Sequence, residues 1–219
     1  MNLPFTREQF LDVFAIYHRT CGDGALLLWV VSVFAVAAWL RGRASSRALT
    51  LLLVVLWLWA AVVYHAVLFS TINPAARWFA LFFAWEAVLV ARAGLVHEEL
   101  RFEPGTRGAL GPALAVAALL YPLISLVTSG DPLRSPTFGV PCPTVLLTAG
   151  LLLGARPDPP RHLFVIPILW SLIGGTAAAS MGIVPDALLF LAAAAMIVRA
   201  LDPHGRHPVG HPHPLPRRP

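Results

Sequence analysis

Residues 48–69, ALTLLLVVLWLWAAVVYHAVLF, run for twenty-two positions without a charged side chain. At about 1.5 Å of rise per residue, a helix of that length crosses a hydrocarbon layer of about 30 Å. Working outward, comparable apolar stretches lie near 24–40, 78–96, 109–127, 140–154, 162–180 and 185–201. The reading is an all-α fold, a polytopic transmembrane helix bundle of about seven spans. The fifth stretch is short, which places the segment before it at membrane depth as well. Glu86 and Arg92 in the third stretch and Arg199 near the end of the seventh stand out as internal charges.

Composition agrees with that architecture. Hydrophobic residues make up 58% of the chain and charged residues 12%, which leaves no room for a separate soluble domain. Residues 1–201 are therefore read as one transmembrane domain. The punctuation of the spans differs, and no internal repeat of fixed period is visible.

Orientation follows from the arginines, of which there are 16, with no lysine. If the loops alternate sides, Arg7, Arg19, Arg77 and Arg134 share one side and the other twelve share the opposite one. Positive residues are retained on the cytoplasmic side, so the expected topology is N-terminus outside and C-terminus cytoplasmic. The net charge of +5 is then explained by topology, and the expected partner is the lipid bilayer, with no nucleic acid. The lack of lysine also rules out a retinal Schiff base.

Two appendages flank the spans. At the N-terminus Thr6 and Gln9 have capping-box spacing, and Phe5 and Phe10 can form the hydrophobic staple across it. An amphipathic helix over 6–19 follows, with Phe10, Leu11, Phe14 and Tyr17 at helical spacing. It lies on the outer membrane surface or packs over the mouth of the bundle. The apolar run that follows comes late and ends in Trp39, Leu40 and Arg41 without a small-residue cleavage site, which argues against a cleavable signal peptide. At the other end, the 202–219 tail carries six prolines and four histidines and should be disordered.

Polar residues inside a bilayer usually line a cavity or pair with one another. Tyr64 and His65 fall in the outer half of the second span, Asn73 in the turn after it, Glu86 near the middle of the third and Tyr121 in the outer half of the fourth. A cluster facing outward is the natural inference. Packing alone remains open for each: a His65–Glu86 pair locking two helices, or tyrosines anchored at the interface.

The stretch Ser135-Pro-Thr-Phe-Gly-Val-Pro-Cys-Pro-Thr144 is the most unusual in the chain. Its prolines disfavour helix through Val140 and Cys142, so the fifth span is expected to start at Pro143 with Cys142 as its cap. A thiol there suits a thiolate or a bound anion. Non-helical backbone at membrane depth must be buried in protein or line a cavity, which makes this stretch a candidate wall. The candidate binding set is thus Tyr64, His65, Asn73, Glu86, Tyr121, Cys142 and Thr144. The only other cysteine is Cys21. A disulfide to Cys142, a soft-metal site with His18 and His65, and two unrelated thiols are all open. In the sixth span Ser171, Gly175 and Ala179, beside Gly174 and Ala178, read as a helix contact. No Walker loop, HExxH, GxSxG or dinucleotide fingerprint occurs; no catalytic residue or cofactor is identified, and a non-enzymatic role is favoured.

The opening Phe5-Thr-Arg-Glu-Gln-Phe10, Trp59 to His65, Ile72-Asn-Pro-Ala75, Ser135 to Thr144 and Leu169-Trp-Ser-Leu-Ile-Gly-Gly175 together resemble a family of small bacterial multi-pass membrane proteins known only as a domain of unknown function. The resemblance implies a bacterial cytoplasmic (inner) membrane protein and carries over no activity. Three functional classes remain. The favoured one is binding or passage of a small solute or ion through an outward-facing polar cavity. The others are a membrane-embedded enzyme or redox protein using Cys142, His65 and Glu86, and a scaffold or accessory subunit.

Overall fold

The computed structural model describes residues 4–105 and 108–202; the proline- and histidine-rich tail expected to be disordered lies outside them. Among the described residues the chain forms seven helices and one two-stranded strap. The helices are α1 (Arg7–Leu40), α2 (Ser46–Trp59), α3 (Ala76–Ala91), α4 (Leu110–Ser129), α5 (Pro141–Leu153), α6 (Val165–Ser180) and α7 (Ala187–Leu201). Six of them, counted with their terminal turns, are long and apolar enough to cross a membrane, and α5 is the shorter exception. Large apolar side chains cover the outside: Phe34, Val127 and Val198 are each more than 70% exposed. Such a surface is satisfied by acyl chains and not by water.

The chain alternates between two ends of the bundle. One carries the N-terminus, the α2–α3 turn and the α4–α5 and α6–α7 connections. The other carries the α1–α2 loop, the strap and the end of α7. In the strap, β1 (Arg101–Phe102) pairs antiparallel with β2 (Ala155–Arg156), and Phe102 N–H donates to Ser46 Oγ at 3.0 Å. Nearby, Arg199 donates to Asp158 at 2.5 Å, so the charge near the end of the seventh span is paired at the bundle's edge.

The capping box forms: Gln9 N–H donates to Thr6 Oγ1 at 3.2 Å and Thr6 N–H to Gln9 Oε1 at 2.8 Å, with Phe5 stacked on Phe10. The amphipathic helix read over 6–19 and the span read over 24–40 are a single 34-residue helix, about 50 Å long. Gly22 and Gly24 do not break it, since each glycine costs a helix only about 1 kcal/mol relative to alanine. Gly24 has a packing reason as well: a Cβ there would lie 2.4 Å from the Trp59 ring. Of the two placements open to the N-terminal helix, it takes the one against the bundle, burying Leu11, Phe14 and Tyr17.

Helix α5 is the hub. It touches α2, α4, α6 and α7, and every residue from Pro143 to Leu152 is buried. A helix apolar all round belongs in an interior. It starts at Pro141 with Val140 as the cap, two residues before the expected Pro143, so Cys142 lies inside the first turn. First-turn N–H groups have no intrahelical partner, and both prolines fit there without loss. The non-helical segment before it is buried: Tyr17 Oη donates to the Phe138 carbonyl at 3.0 Å, and His18 Nε2 donates to that of Ser135 at 3.0 Å.

Indole N–H groups stitch the helices together. Trp29 reaches the Leu119 carbonyl at 2.8 Å, Trp57 the Thr148 hydroxyl at 2.9 Å and Trp59 the Tyr17 hydroxyl at 2.8 Å. The second span is not uniformly α-helical, since Ala60–Leu68 is a π-helix, followed by a 3₁₀ turn at Phe69–Thr71. Such wide turns are rare and concentrate at functional sites. This one turns Ala60, Ala61, Tyr64 and His65 inward.

Candidate functional site

The 3₁₀ turn Val184–Asp186 leads into α7. An aspartate at such a position ordinarily caps the helix by accepting backbone N–H groups. Asp186 makes no such bond. Its side chain turns inward, where Oδ1 accepts the Tyr121 hydroxyl and Oδ2 accepts the Cys142 thiol at 3.4 Å. One carboxyl group thereby joins α4, α5 and α7, and it is 3% exposed. Among the described residues no basic side chain forms an ion pair with it.

Asp186, Tyr121 and Cys142 form the polar side of a cavity of about 80 Å³. The rest of its lining is mainly aromatic and small: Phe5, Phe10 and Phe14 from α1 and the residues before it, Tyr64 and Phe69 from the second span, Phe79 from α3, and Trp170, Gly174 and Ala178 from α6. The cavity has about half the volume of one that accepts benzene, which suits a molecule of about three or four heavy atoms. Beside it, at the N-terminal end, lies a polar basin of about 250 Å³ lined by Arg7, Glu8, Ser125, Asp131 and Arg134. Pro136 lines both. Arg134 bridges Glu8 at 2.8 Å and Asp12 at 2.5 Å; these carboxylates, Asp12 foremost, hold its guanidinium above its ordinary pKa. The α4–α5 connection is thus tied to α1 by a charge that persists at any physiological pH.

Of the residues expected to cluster, Tyr64, Asn73, Tyr121 and Cys142 line the cavity. Asn73 also fixes the α2–α3 turn, its Oδ1 accepting Ala75 N–H at 3.1 Å. His65, Glu86 and Thr144 do not line it. Thr144 Oγ1 donates to the Val140 carbonyl at 3.0 Å and so steadies the non-helical segment. His65 lies directly behind the wall, its ring 4.6 Å from Phe83, 4.9 Å from Trp170 and 5.7 Å from Phe79. His65 and Glu86 are both fully buried, yet all four of their polar side-chain atoms lack hydrogen-bond partners. The pair considered for them does not form: spacing along two helices sets depth, and the facing of the side chains depends on helix rotation.

Both cysteines are free thiols, Cys21 lying 3.4 Å from Thr20 Oγ1 and Cys142 on Asp186, so they are not joined as a disulfide. Cys142 acts as a hydrogen-bond donor and does not present a thiolate to an open helix end. Among the described residues no three histidine, cysteine or acidic side chains gather as a metal site. The small residues of α6 divide between two roles: a Cβ on Gly175 would meet the Phe190 ring of α7 at 3.2 Å, whereas Gly174 and Ala178 line the cavity. Ala179 is exposed.

Asp186 is the functional candidate that sequence reasoning missed, because an acid after proline at the start of an apolar run reads as a helix cap. A usable signal was present. The connection from Met181 to Pro185 is short and carries no charge, so the acid that ends it is held at the depth of the bundle.

The chain matches the family of unknown function DUF6064 over residues 7–206. It belongs to that family. No curated protein and no solved structure matches this DUF6064 member.

Proposed function

We propose that this DUF6064 protein binds a small solute in the Asp186 cavity, beside the polar basin at the N-terminal end, and that this end faces outward. The observation that carries the reading is a buried carboxyl group, held by Tyr121 and Cys142, facing an otherwise aromatic pocket. A carboxyl accepts a donor or pairs with a cation, and aromatic faces attract the same cation. The matching ligand is a small amine with an apolar body. His65 and Glu86 stand outside the cavity that Cys142 lines, so the geometry lends no support to an enzyme built on those three.

Propylamine, with four heavy atoms, is a suitable probe. At the ceiling of about 1.5 kcal/mol per heavy atom its Kd is expected to be no tighter than about 4 × 10⁻⁵ M. Titration of the full chain in detergent is expected to saturate, and Asp186→Asn, which still accepts the Tyr121 hydroxyl, to weaken binding about tenfold or more, the ~1.4 kcal/mol of a charge-assisted contact. Equal binding by both proteins would remove Asp186 from the site.

The orientation rests on the arginine bias. In a Cys21→Ser, Cys142→Ser background, Asp131→Cys is expected to be labelled by an impermeant thiol reagent in intact cells, and Arg43→Cys only after permeabilisation. The opposite pattern would invert the topology and place the basin in the cytoplasm.

A further inference from the structure

Phe79 and Trp170 each line two spaces. One is the Asp186 cavity; the other is a cleft of about 60 Å³ between α3 and α6 with a wholly apolar lining. The mouth of that cleft is formed by Phe82, Leu169 and Ile173, which are 54%, 52% and 49% exposed on the apolar outer surface. The two rings stand between the cavity and the cleft, with His65 and Phe83 packed against them. Phe79 and Trp170 meet edge to face at 5.4 Å. Helices α3 and α6 otherwise touch over a short stretch.

We infer that Phe79 and Trp170 form a lateral gate through which the cavity exchanges its ligand with the bilayer. No strong hydrogen bond latches the gate, because the Trp170 indole faces only the Cys142 sulfur, a weak acceptor. Gly174, one turn further along α6, lets the indole lie against the helix, since a Cβ there would come within 3.0 Å of it. Rotation of two side chains opens the passage without moving backbone. The partition toward the polar basin is different in kind. There Pro136 belongs to a segment pinned by the Tyr17 and His18 hydrogen bonds, and opening it means breaking them. The inference rests on the cavity being a binding site and narrows the ligand to one that partitions into hydrocarbon, such as the neutral form of a small amine.

The test uses Cys142 as a reporter in a Cys21→Ser background, with the full chain in lipid vesicles. Methyl methanethiosulfonate is small, uncharged and lipid-soluble; its trimethylammonium-ethyl analogue is charged and confined to water. With either, the cysteine sulfur attacks the sulfenyl sulfur, a mixed disulfide forms, the sulfinate leaves and the thiol proton passes to solvent. Phe79→Ala and Trp170→Ala are expected to speed modification by the uncharged reagent about tenfold and to leave the charged one unchanged. Leu169→Trp, a lipid-facing change that blocks the mouth, is expected to slow the uncharged reagent by a similar factor. Equal acceleration of both reagents, or no slowing by Leu169→Trp, would overturn the gate. The readout involves no amine. Failure of propylamine binding with altered labelling therefore leaves the gate standing, and normal binding with unaltered labelling removes the gate alone.

Discussion

Gly150→Val is expected to force α4 and α5 apart and to destabilise the protein strongly. A Cβ at Gly150 would lie 2.7 Å from the backbone nitrogen of Ala115 and 2.8 Å from the carbonyl oxygen of Gly111, and one at Gly111 would lie 2.8 Å from the Gly150 carbonyl oxygen. These are backbone atoms on both sides, so no side chain can rotate away; the helices must separate. Because α5 touches four other helices, separation on one side disturbs the rest. Overpacking ordinarily costs about 1–3 kcal/mol, and a branched side chain against backbone belongs at or beyond the upper end. For a chain of this size about 3 kcal/mol corresponds to a fall in Tm of about 10 °C. Thermal unfolding in detergent, with Gly150→Ala as the milder member of the series, reads this directly. A valine variant that melts within a degree or two of the parent would refute the backbone contact.

The second large effect is expected at Gly139, where two constraints coincide. Its φ is +81°, and a Cβ would fall 2.5 Å from the Tyr17 hydroxyl. Left-handed backbone costs a non-glycine residue about 1–2 kcal/mol. The hydroxyl cannot simply retreat, because it donates to the Phe138 carbonyl and accepts the Trp59 N–H, and each buried group left unpaired costs about 1–3 kcal/mol. Gly139→Ala should therefore destabilise by about 3 kcal/mol or more and release α1 from the bundle. Hydrogen exchange over residues 7–24 is the local readout. Tyr17→Phe, which removes the two bonds without the backbone strain, should show a smaller increase in the same region. Unchanged protection in both variants would mean that α1 is held by other contacts.

The positions of the helices along the chain were largely legible in the sequence; rotation about the helix axes was not. Runs without charge mark the helices, and Thr6 with Gln9 marks a real capping box. The π-helical stretch turns Tyr64 toward the cavity, and the approach of glycine to backbone, as at Gly150 and Ala115, sets how α4 faces α5. Neither leaves a periodic trace. The continuity of α1 through Gly22 and Gly24 escaped because two glycines around Asp23 read as a break, although each costs a helix only about 1 kcal/mol. The start of α5 at Pro141 was obscured because prolines read as breakers are equally at home in a first turn.

Thirteen residues of helix cover about 20 Å, so α5 is too short to cross the hydrocarbon layer unaided, and its sides are closed off by protein. Its seat in the membrane is therefore a property of the finished assembly. As the chain emerges from the ribosome, α1, α2 and α4 can take up their places before α5 exists, and Tyr17 and His18 are already in position to receive the carbonyls of Phe138 and Ser135. The remaining flanks of α5 stay open until α6 and α7 arrive. Chain order and architecture thus agree: the early helices can form a cradle for the fifth, and the last two shut it in, bringing Asp186 to Tyr121 and Cys142.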